Sequence, residues 1–156
     1  MKTTIVRVAR QTTIARPITD VFDRLADIGG YSSWMPRTGL FGSCRTTDGD
    51  ADYWDRSRIG RWRGRVVVID RPTRIGFRQT LRWFGKDVME ARPSYLLEFE
   101  HGVTTVHHVA EGELFGVFRV MKPVTALLAK RERRLILDAL TSSLESTGGS
   151  AALTAE

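Results

Sequence analysis

The spacing of apolar and polar residues predicts one long helix near the end of the chain, from about Pro123 to Ser146. Apolar residues recur there at the 3.6-residue period of one helix face, and basic residues occupy the other face. The apolar stripe comprises Met121, Val124, Leu128, Leu135 and Ala139, widened by Ala129, Ile136 and Leu140. The basic face comprises Lys122, Lys130, Arg133 and Arg134. Glu132 interrupts the stripe, which indicates either a partly wet cavity beneath the helix or an ion pair at its edge, because burying an unpaired carboxylate is costly.

A period of two predicts strands in most of the preceding chain. The first strand covers residues 3–14, and two short helices follow it, the first beginning at Pro17 and the second stopped by Pro36. About six further strands, separated by short turns, are predicted at residues 40–47, 53–59, 61–70, 74–83, 88–101 and 103–114. Short turns favour an antiparallel meander, so we expect an α+β fold in which the last helix covers one face of a curved antiparallel sheet of about seven strands.

The length of 156 residues favours a single domain, which we place at residues 1–146. The small, polar tail 147–156 is predicted to be disordered. We find no apolar run long enough to span a bilayer and no signal peptide, so we expect a cytoplasmic protein. A single cysteine, Cys44, excludes an intramolecular disulfide and a cysteine-cluster metal site.

Several segments resemble a known superfamily. Its opening pattern is similar to Ala15-Arg16-Pro17, Val21-Phe22, Leu25, Asp27, Tyr31, Trp34 and Pro36. The segments 70–75 and 112–116, with the long helix that closes at Leu144-Glu145, are also similar to it. Over residues 3–146 the chain therefore resembles the START-like, birch-pollen-allergen-like (SRPBCC) superfamily, and within it the bacterial polyketide cyclase/dehydrase and lipid-transport group. The resemblance implies a helix-grip fold, in which a curved sheet wraps around the last helix and leaves an apolar cavity between them.

The family has no universal catalytic motif, and its members include lipid carriers, hormone receptors, aromatase/cyclases and quinone-binding proteins. The resemblance therefore implies binding of a hydrophobic molecule more strongly than it implies any reaction.

Alternation places many aromatic and aliphatic side chains on the inner face of the sheet. These side chains are Trp62, Phe77, Leu81, Trp83, Tyr95, Leu97 and Phe99, and Trp34 of the second predicted helix is grouped with them. Such residues either fill a core or line a pocket for a flat or long apolar ligand. In view of the resemblance we expect a pocket, to which Leu128 and Glu132 of the last helix also contribute.

Polar residues on the same inner face are candidates for ligand recognition. Gln79 shares its face with apolar neighbours, so its amide is expected to point inward and to need a partner. Of the adjacent pair His107 and His108, one points inward, and the phase of Val106 and Leu114 favours His108. A neutral inward histidine could bond a ligand carbonyl, act as an acid or base, or be a core residue bonded to a neighbour.

No motif fixes a catalytic or metal site. The chain has no Gly-x-Ser-x-Gly elbow and no glycine-rich phosphate loop. His107 and His108 point to opposite faces of a strand and cannot chelate one ion together, so we predict neither a metal nor a cofactor. For a cyclase or dehydratase reaction the candidate residues would be His108 and Glu132, with no firm catalytic assignment.

The net charge of +6 and the pI near 10.1 raise the question of an acidic partner. Alternation places six arginines on the outer face of two strands, namely Arg61, Arg63, Arg65, Arg74, Arg78 and Arg82. If these strands pair, the patch could contact RNA, an anionic membrane or an acidic protein. Alternatively, acids from neighbouring strands relieve a solvated face. We favour the second interpretation, which argues against nucleic acid as a partner and leaves peripheral contact with an anionic membrane open.

The primary prediction is therefore a carrier or sensor that binds a lipid or polyketide-like compound in the cavity. A cyclase or dehydratase acting in the same cavity is the first alternative, and an interaction module using the arginine face is the second. The sequence does not set the oligomeric state.

Overall fold

The computed structural model describes residues 4–36, 43–46, 52–57 and 60–153. The strands are β1 (Thr4–Ile14), β2 (Ser43–Thr46), β3 (Asp52–Ser57), β4 (Gly60–Asp70), β5 (Arg74–Trp83), β6 (Lys86–Glu100) and β7 (Val103–Leu114). The α-helices are α1 (Ile18–Ala26), α2 (Tyr31–Trp34) and α3 (Lys122–Leu153), and 3-10 turns lie at Ile28–Gly30 and Gly116–Met121.

Within these residues the strands form one antiparallel sheet of seven, in the order β1-β7-β6-β5-β4-β3-β2. Strands β2 to β7 follow each other as a meander, and β1 pairs with β7 along its whole length, from Thr4 opposite Leu114 to Ile14 opposite Thr104. The two short helices connect β1 to the far edge of the sheet. The predicted α+β helix-grip fold is therefore confirmed, with α3 packed on the inner face.

The side chains of α3 are described for residues 122–146, and we call 122–133 its first half and 134–146 its second half. The main core lies beneath the second half. Ile136 and Leu140 of this helix are almost completely buried, together with Phe22 of α1, Ile75 of β5 and Leu97 of β6. Burying each such side chain contributes about 1.5–3 kcal/mol relative to leaving it exposed. This packing fixes the position of α3 across the sheet.

The last helix is longer than the sequence predicts. Pro123 lies in its first turn, where a missing N–H is tolerated, and the backbone remains helical past Ser146 to Leu153. The disorder predicted for the tail 147–156 stays a prediction. Extending a helix that is already anchored costs little per residue, whereas starting one is expensive, so the two glycines in this segment are tolerated. Among the described residues, no helix combines the length and apolar character needed to cross a membrane.

The outer face carries the predicted arginine patch. Arg61 pairs across the β4–β5 hairpin with Arg82, and Arg65 pairs with Arg78. Acids at neighbouring positions relieve this repulsion, because Asp87 lies 3.0 Å from Arg82 and Glu90 lies 3.1 Å from Arg78.

Glu90 also accepts a hydrogen bond from Arg92 at 2.7 Å. Burial by itself would raise the pKa of Glu90, but the hydrogen bonds from the two arginines outweigh it and hold the pKa below its ordinary value. The patch is thus a solvated face with nearby acids, and its binding to any partner stays a prediction.

Candidate ligand-binding cavity

A cavity of about 220 Å³ lies between the inner face of the sheet and the first half of α3. Its floor comes from β4 to β7 and β1, and its roof comes from the 3-10 turn after β7 and the first three turns of α3. Side chains on the sheet side include Val6, Trp62, Gln79, Leu81, Trp83, Val88, Met89, Ala91, Gly112 and Leu114. Those on the helical side include Phe118, Met121, Val124, Leu128, Ala129, Glu132 and Arg133.

One cross-strand row of the cavity floor has its two smallest residues at the centre. Gln79 of β5 pairs with Ala91 of β6, and Ala91 pairs with Gly112 of β7. Gly112 in turn pairs with Val6 of β1. The missing side chain of Gly112 makes room for the side chain of Met89, whose Cε would overlap a Cβ at residue 112. The methyl group of Ala91 is too short to reach the helix above it, so space remains where a larger side chain would have filled the core.

Two small apolar clusters form the walls. On one side Val6 and Leu114 pack with alanines of α3, and on the other Trp62 and Leu81 pack with Val88. Met89 and Phe118 contact both clusters. The walls are thus apolar on both sides and offer few hydrogen-bonding groups to a ligand.

Three polar side chains lie at the inner end of the cavity: Gln79, Glu132 and Arg133. All three are buried, with 7%, 4% and 8% of their surface exposed. The sequence pattern placed Glu132 inward, as observed, but placed Arg133 on the outer helix face, which is wrong. Arg133 belongs to the buried stripe that continues to Ile136 and Leu140, since residues three and four apart lie on one helix face.

Burial of Arg133 disfavours its charge and lowers its pKa, while Tyr95, Glu132 and Tyr53 act in the opposite direction. The adjacent carboxylate of Glu132 is the group of opposite charge among them. The inner end of the cavity therefore combines a guanidinium, a carboxylate and an amide, which together offer both donors and acceptors.

His108 lies behind this polar group and is completely buried. Its Nδ1 lies 2.9 Å from the carbonyl oxygen of Ser94, which can only accept, so Nδ1 carries the hydrogen and donates it. Its Nε2 therefore accepts from Nη1 of Arg133, 3.2 Å away. The imidazole ring stacks on Tyr95 with centroids 4.1 Å apart.

Burial, and then the charge of Arg133, lower the pKa of His108 to about 3, although its bond to the Ser94 carbonyl opposes this shift. The ring is therefore neutral at physiological pH. Both of its nitrogens are engaged by the protein, and His108 does not contribute to the cavity lining described above. Its place in the structure is to orient Arg133, which argues against the acid–base role considered from the sequence.

Apart from Phe99, the other predicted site residues divide into two groups. Trp62, Gln79, Leu81, Trp83, Leu128 and Glu132 lie in the cavity wall. Trp34, Phe77, Tyr95 and Leu97 lie instead in the filled core, where Phe77 packs edge-to-face on Tyr53 and on Tyr95 at 6.0 and 6.2 Å. Their side chains occupy the space that the prediction assigned to a ligand.

Phe99 requires a correction. It has the same phase along β6 as Tyr95 and Leu97, but 49% of its surface is exposed. Alternation along a strand determines which face of the sheet a side chain lies on, but it does not determine how deeply that side chain is buried. Phe99 lies next to the β6–β7 turn, where the core no longer covers the inner face of the sheet.

Alternation could have found one group that the prediction missed. Gly112 has the inward phase of His108 on β7, and its missing side chain makes room for Met89, which also lines the cavity. Ala91 is harder to place, because Pro93 interrupts β6 between it and the well-patterned half of that strand. Within the described part of the chain, no three His, Cys, Asp or Glu side chains lie close enough to hold a metal ion. The side chain of Cys44 lies outside the described residues.

Comparison with protein families identifies this arrangement. Residues 6–145 match the family described as polyketide cyclase / dehydrase and lipid transport. The chain belongs to this family. Members of the polyketide cyclase/dehydrase family are ligand-binding SRPBCC domains.

Solved structures with the same fold are distant in sequence. A START superfamily protein from Mycobacterium smegmatis is 15% identical, with a TM-score of 0.69 over 90% of this chain and 98% of that one. A conserved protein from Geobacillus kaustophilus is 13% identical, with a TM-score of 0.74 over 91% and 97%. A Thalictrum norcoclaurine synthase, in complex with a transition-state analogue, is 11% identical, with a TM-score of 0.68 over 95% and 99%. At these identities the likeness establishes the fold alone. No curated protein matches the sequence.

Proposed function

We propose that this member of the polyketide cyclase/dehydrase family binds a hydrophobic small molecule in the cavity and carries or senses it without changing it chemically. The observation that carries the proposal is the cavity itself, which has apolar walls and a polar inner end. Binding sites for small molecules have this composition, since apolar surface supplies affinity and a few polar groups fix orientation. In this proposal the protein acts in the cytoplasm.

The volume of the cavity limits the size of the ligand that it can enclose. About 220 Å³ exceeds the roughly 150 Å³ cavity that accommodates benzene, and it is below the roughly 300–1,000 Å³ of pockets for drug-sized molecules. The enclosed part therefore accepts a bicyclic aromatic group or a short segment of an acyl chain. A longer ligand would extend past Trp83 and Val124, which line the cavity and are also exposed to solvent.

The polar inner end favours a ligand with one oxygen-bearing group at its buried end. Gln79 can both donate and accept, and Arg133 can only donate. An apolar ligand would place hydrocarbon against these polar groups, whereas a hydroxyl or carbonyl at this position can form hydrogen bonds with them. A ligand of this kind should bind more tightly than its hydrocarbon analogue.

A cavity-filling variant tests the proposal. Ala91→Leu places a larger side chain on the cavity floor, and Ala9→Leu makes the same change on the exposed outer side of β1. With 2-naphthol as the probe in calorimetry, we expect Ala91→Leu to weaken binding at least about tenfold, a loss of about 1.4 kcal/mol, and Ala9→Leu to leave it unchanged. Binding that survives Ala91→Leu, or wild-type protein that binds no 2-naphthol, would contradict the proposal.

The polar end is tested separately with the same probe and with naphthalene. Gln79→Leu should reduce the preference for 2-naphthol over naphthalene, because it removes one hydrogen-bonding group and leaves the apolar walls intact. Equal preference in wild type and variant would show that Gln79 does not recognise the ligand.

One observation keeps the enzymatic alternative open, namely that Glu132 is buried and lines the cavity. A carboxylate there could move a proton during a cyclisation or dehydration. Comparing wild type with Glu132→Gln would separate the two functions. Under the carrier proposal, wild-type protein returns a bound polyketide-like aromatic ketone unchanged, and turnover that Glu132→Gln abolishes would overturn it.

A further inference from the structure

The surface around the mouth of the cavity exposes an unusual number of large apolar side chains. Phe84, Val120, Val117 and Leu127 have 89%, 83%, 78% and 69% of their surface exposed. Trp83 and Val124 are also exposed and line the cavity. We call these six residues the apolar rim. Isolated exposed apolar residues are ordinary, but a contiguous group marks an interaction surface.

Ring contacts connect the two elements that form the apolar rim. At the tip of the β5–β6 hairpin, Trp83 packs on Phe84 with centroids 5.2 Å apart. Trp83 also packs edge-to-face on Phe118 of the 3-10 turn, at 5.4 Å. The hairpin tip and the turn before α3 therefore form one continuous surface beside the cavity mouth.

The fold itself does not require the most exposed of these residues. Phe84 and Gly85 form the two-residue turn between β5 and β6, with φ of 47° and 76°. Such turns favour asparagine or glycine, and a bulky side chain at positive φ is unfavourable. Phe84 thus has an unfavourable backbone conformation, and its exposed ring contributes little to the core. A residue held at such a cost is a candidate for function.

Along the helical part of the apolar rim, all charged residues in the sequence are positive. From Leu114 to Arg131 the sequence contains four cations, Arg119, Lys122, Lys130 and Arg131, and no acid. Lys86 adds a cation at the hairpin. The nearby Asp87 is paired with Arg82 at 3.0 Å. Exposed apolar side chains flanked by lysine and arginine are the composition of surfaces that lie on anionic lipid.

The same charges argue against a second copy of this chain as the partner. A symmetric dimer through the apolar rim would bring its cations against the same cations of the other copy, and like charges across an interface are destabilising. We propose that the apolar rim docks on the surface of an anionic phospholipid membrane, with Phe84 and Val120 inserted among the lipid chains. Docking in this orientation turns the cavity mouth toward the bilayer.

Sedimentation with phospholipid vesicles tests this proposal. We expect the protein to bind vesicles of phosphatidylcholine and phosphatidylglycerol, to bind vesicles of phosphatidylcholine alone much more weakly, and to be released by salt. The double variant Phe84→Asn and Val120→Ser should lose at least about tenfold in binding. Asparagine suits the turn better than phenylalanine does, so this loss cannot be attributed to unfolding of the hairpin.

Two matched controls distinguish the apolar rim from other surfaces. Val67→Ser removes an apolar side chain of β4 that is 53% exposed beside Arg74 and Arg78 of the outer face, and it should leave binding unchanged. Arg63→Ser with Arg78→Ser reduces the charge of the arginine face, and it should weaken binding less than the rim variant does. The proposal is overturned if only the arginine-face variant releases the protein, or if neither vesicle binds.

Sedimentation velocity without lipid tests whether two copies of the chain associate through the apolar rim. If the wild type forms a dimer that the rim variant dissociates, a second copy rather than a membrane covers the apolar rim, and the proposal is overturned. Failure of the membrane proposal can be distinguished from failure of the proposed ligand binding, because the rim variant leaves the cavity floor unchanged and should still bind 2-naphthol as the wild type does.

Discussion

The two halves of α3 lie on the same face of the sheet in very different surroundings. In the second half, Ile136 and Leu140 are at most 2% exposed. In the first half, Val124 and Leu127 are more than half exposed, and Leu128 borders the cavity. Both halves carry apolar residues at helical spacing, so the helix sequence alone does not explain why one half is buried and the other is not.

The explanation lies beneath the helix. Under the second half, α1 contributes Phe22 and Leu25, and the sheet contributes Ile75 and Leu97. Under the first half, the centre of the sheet presents the short side chain of Ala91 and the side chain of Met89, which lies over Gly112. The comparison shows that amphipathicity determines which face of a helix turns inward, while the residues opposite determine whether that face is packed or borders a space.

The polar group separates the packed half from the hollow half. Glu132 and Arg133 lie one turn before Ile136, and His108 and Tyr95 anchor Arg133 from the sheet. Buried charges are tolerated when they are paired and hydrogen-bonded. Their position at this boundary lets them face the cavity while the protein satisfies them from behind.

The packed half should be sensitive to truncation. Leu140→Ala removes a side chain with no exposed surface and should lower the free energy of unfolding by about 3–4 kcal/mol, because a cavity remains that the surrounding core cannot close. Urea denaturation followed by circular dichroism measures this loss. A loss below about 1 kcal/mol would mean that this half is loosely packed as well.

The boundary should be sensitive to acid. The pKa of His108 is lowered to about 3 in the folded protein, so the unfolded chain takes up a proton first as the pH falls. The contribution of neutral His108 to the free energy of unfolding is therefore complete above about pH 6.5, and it decreases as the pH falls toward 3. Between pH 6.5 and 4.5 we expect the free energy of unfolding to fall by about 2–3 kcal/mol.

Replacement of the histidine provides the control for this titration. His108→Gln can still donate to Ser94 and accept from Arg133, but it does not titrate, so its free energy of unfolding should depend less on pH in this range. Because the pKa of Glu90 is lowered in the folded protein, its stabilising contribution is largely retained in this range and is lost at lower pH. An equally steep pH dependence in His108→Gln would show that His108 is not the group responsible.

Local patterns predict much of the fold. The period of two predicted β7 at residues 103–114, as observed, and it placed Gln79 and His108 on the inner face, where both are buried. These inferences succeed because a strand has only two faces and one of them is buried.

The cavity and its polar end depended on information that a local pattern does not contain. In the cavity floor Ala91 and Gly112 lie side by side next to Gln79, and only the register between three strands determines this arrangement. The apolar stripe through Leu128 and Leu135 predicts Arg133 on the outer face, whereas the face that the sheet buries carries Arg133 and Ile136. The buried partner of Arg133, His108, lies 25 residues away in sequence, on another element.

The hollow half should tolerate truncation. Leu128→Ala removes the same atoms as Leu140→Ala, but from a side chain that is 39% exposed and already borders a space. We expect it to lower the free energy of unfolding by no more than about 1 kcal/mol, because few packing contacts are lost and the adjoining cavity only grows. The same urea denaturation compares the two variants directly. If Leu128→Ala costs as much as Leu140→Ala, the first half of α3 is packed in solution as tightly as the second, and the space assigned to a ligand closes when nothing occupies it.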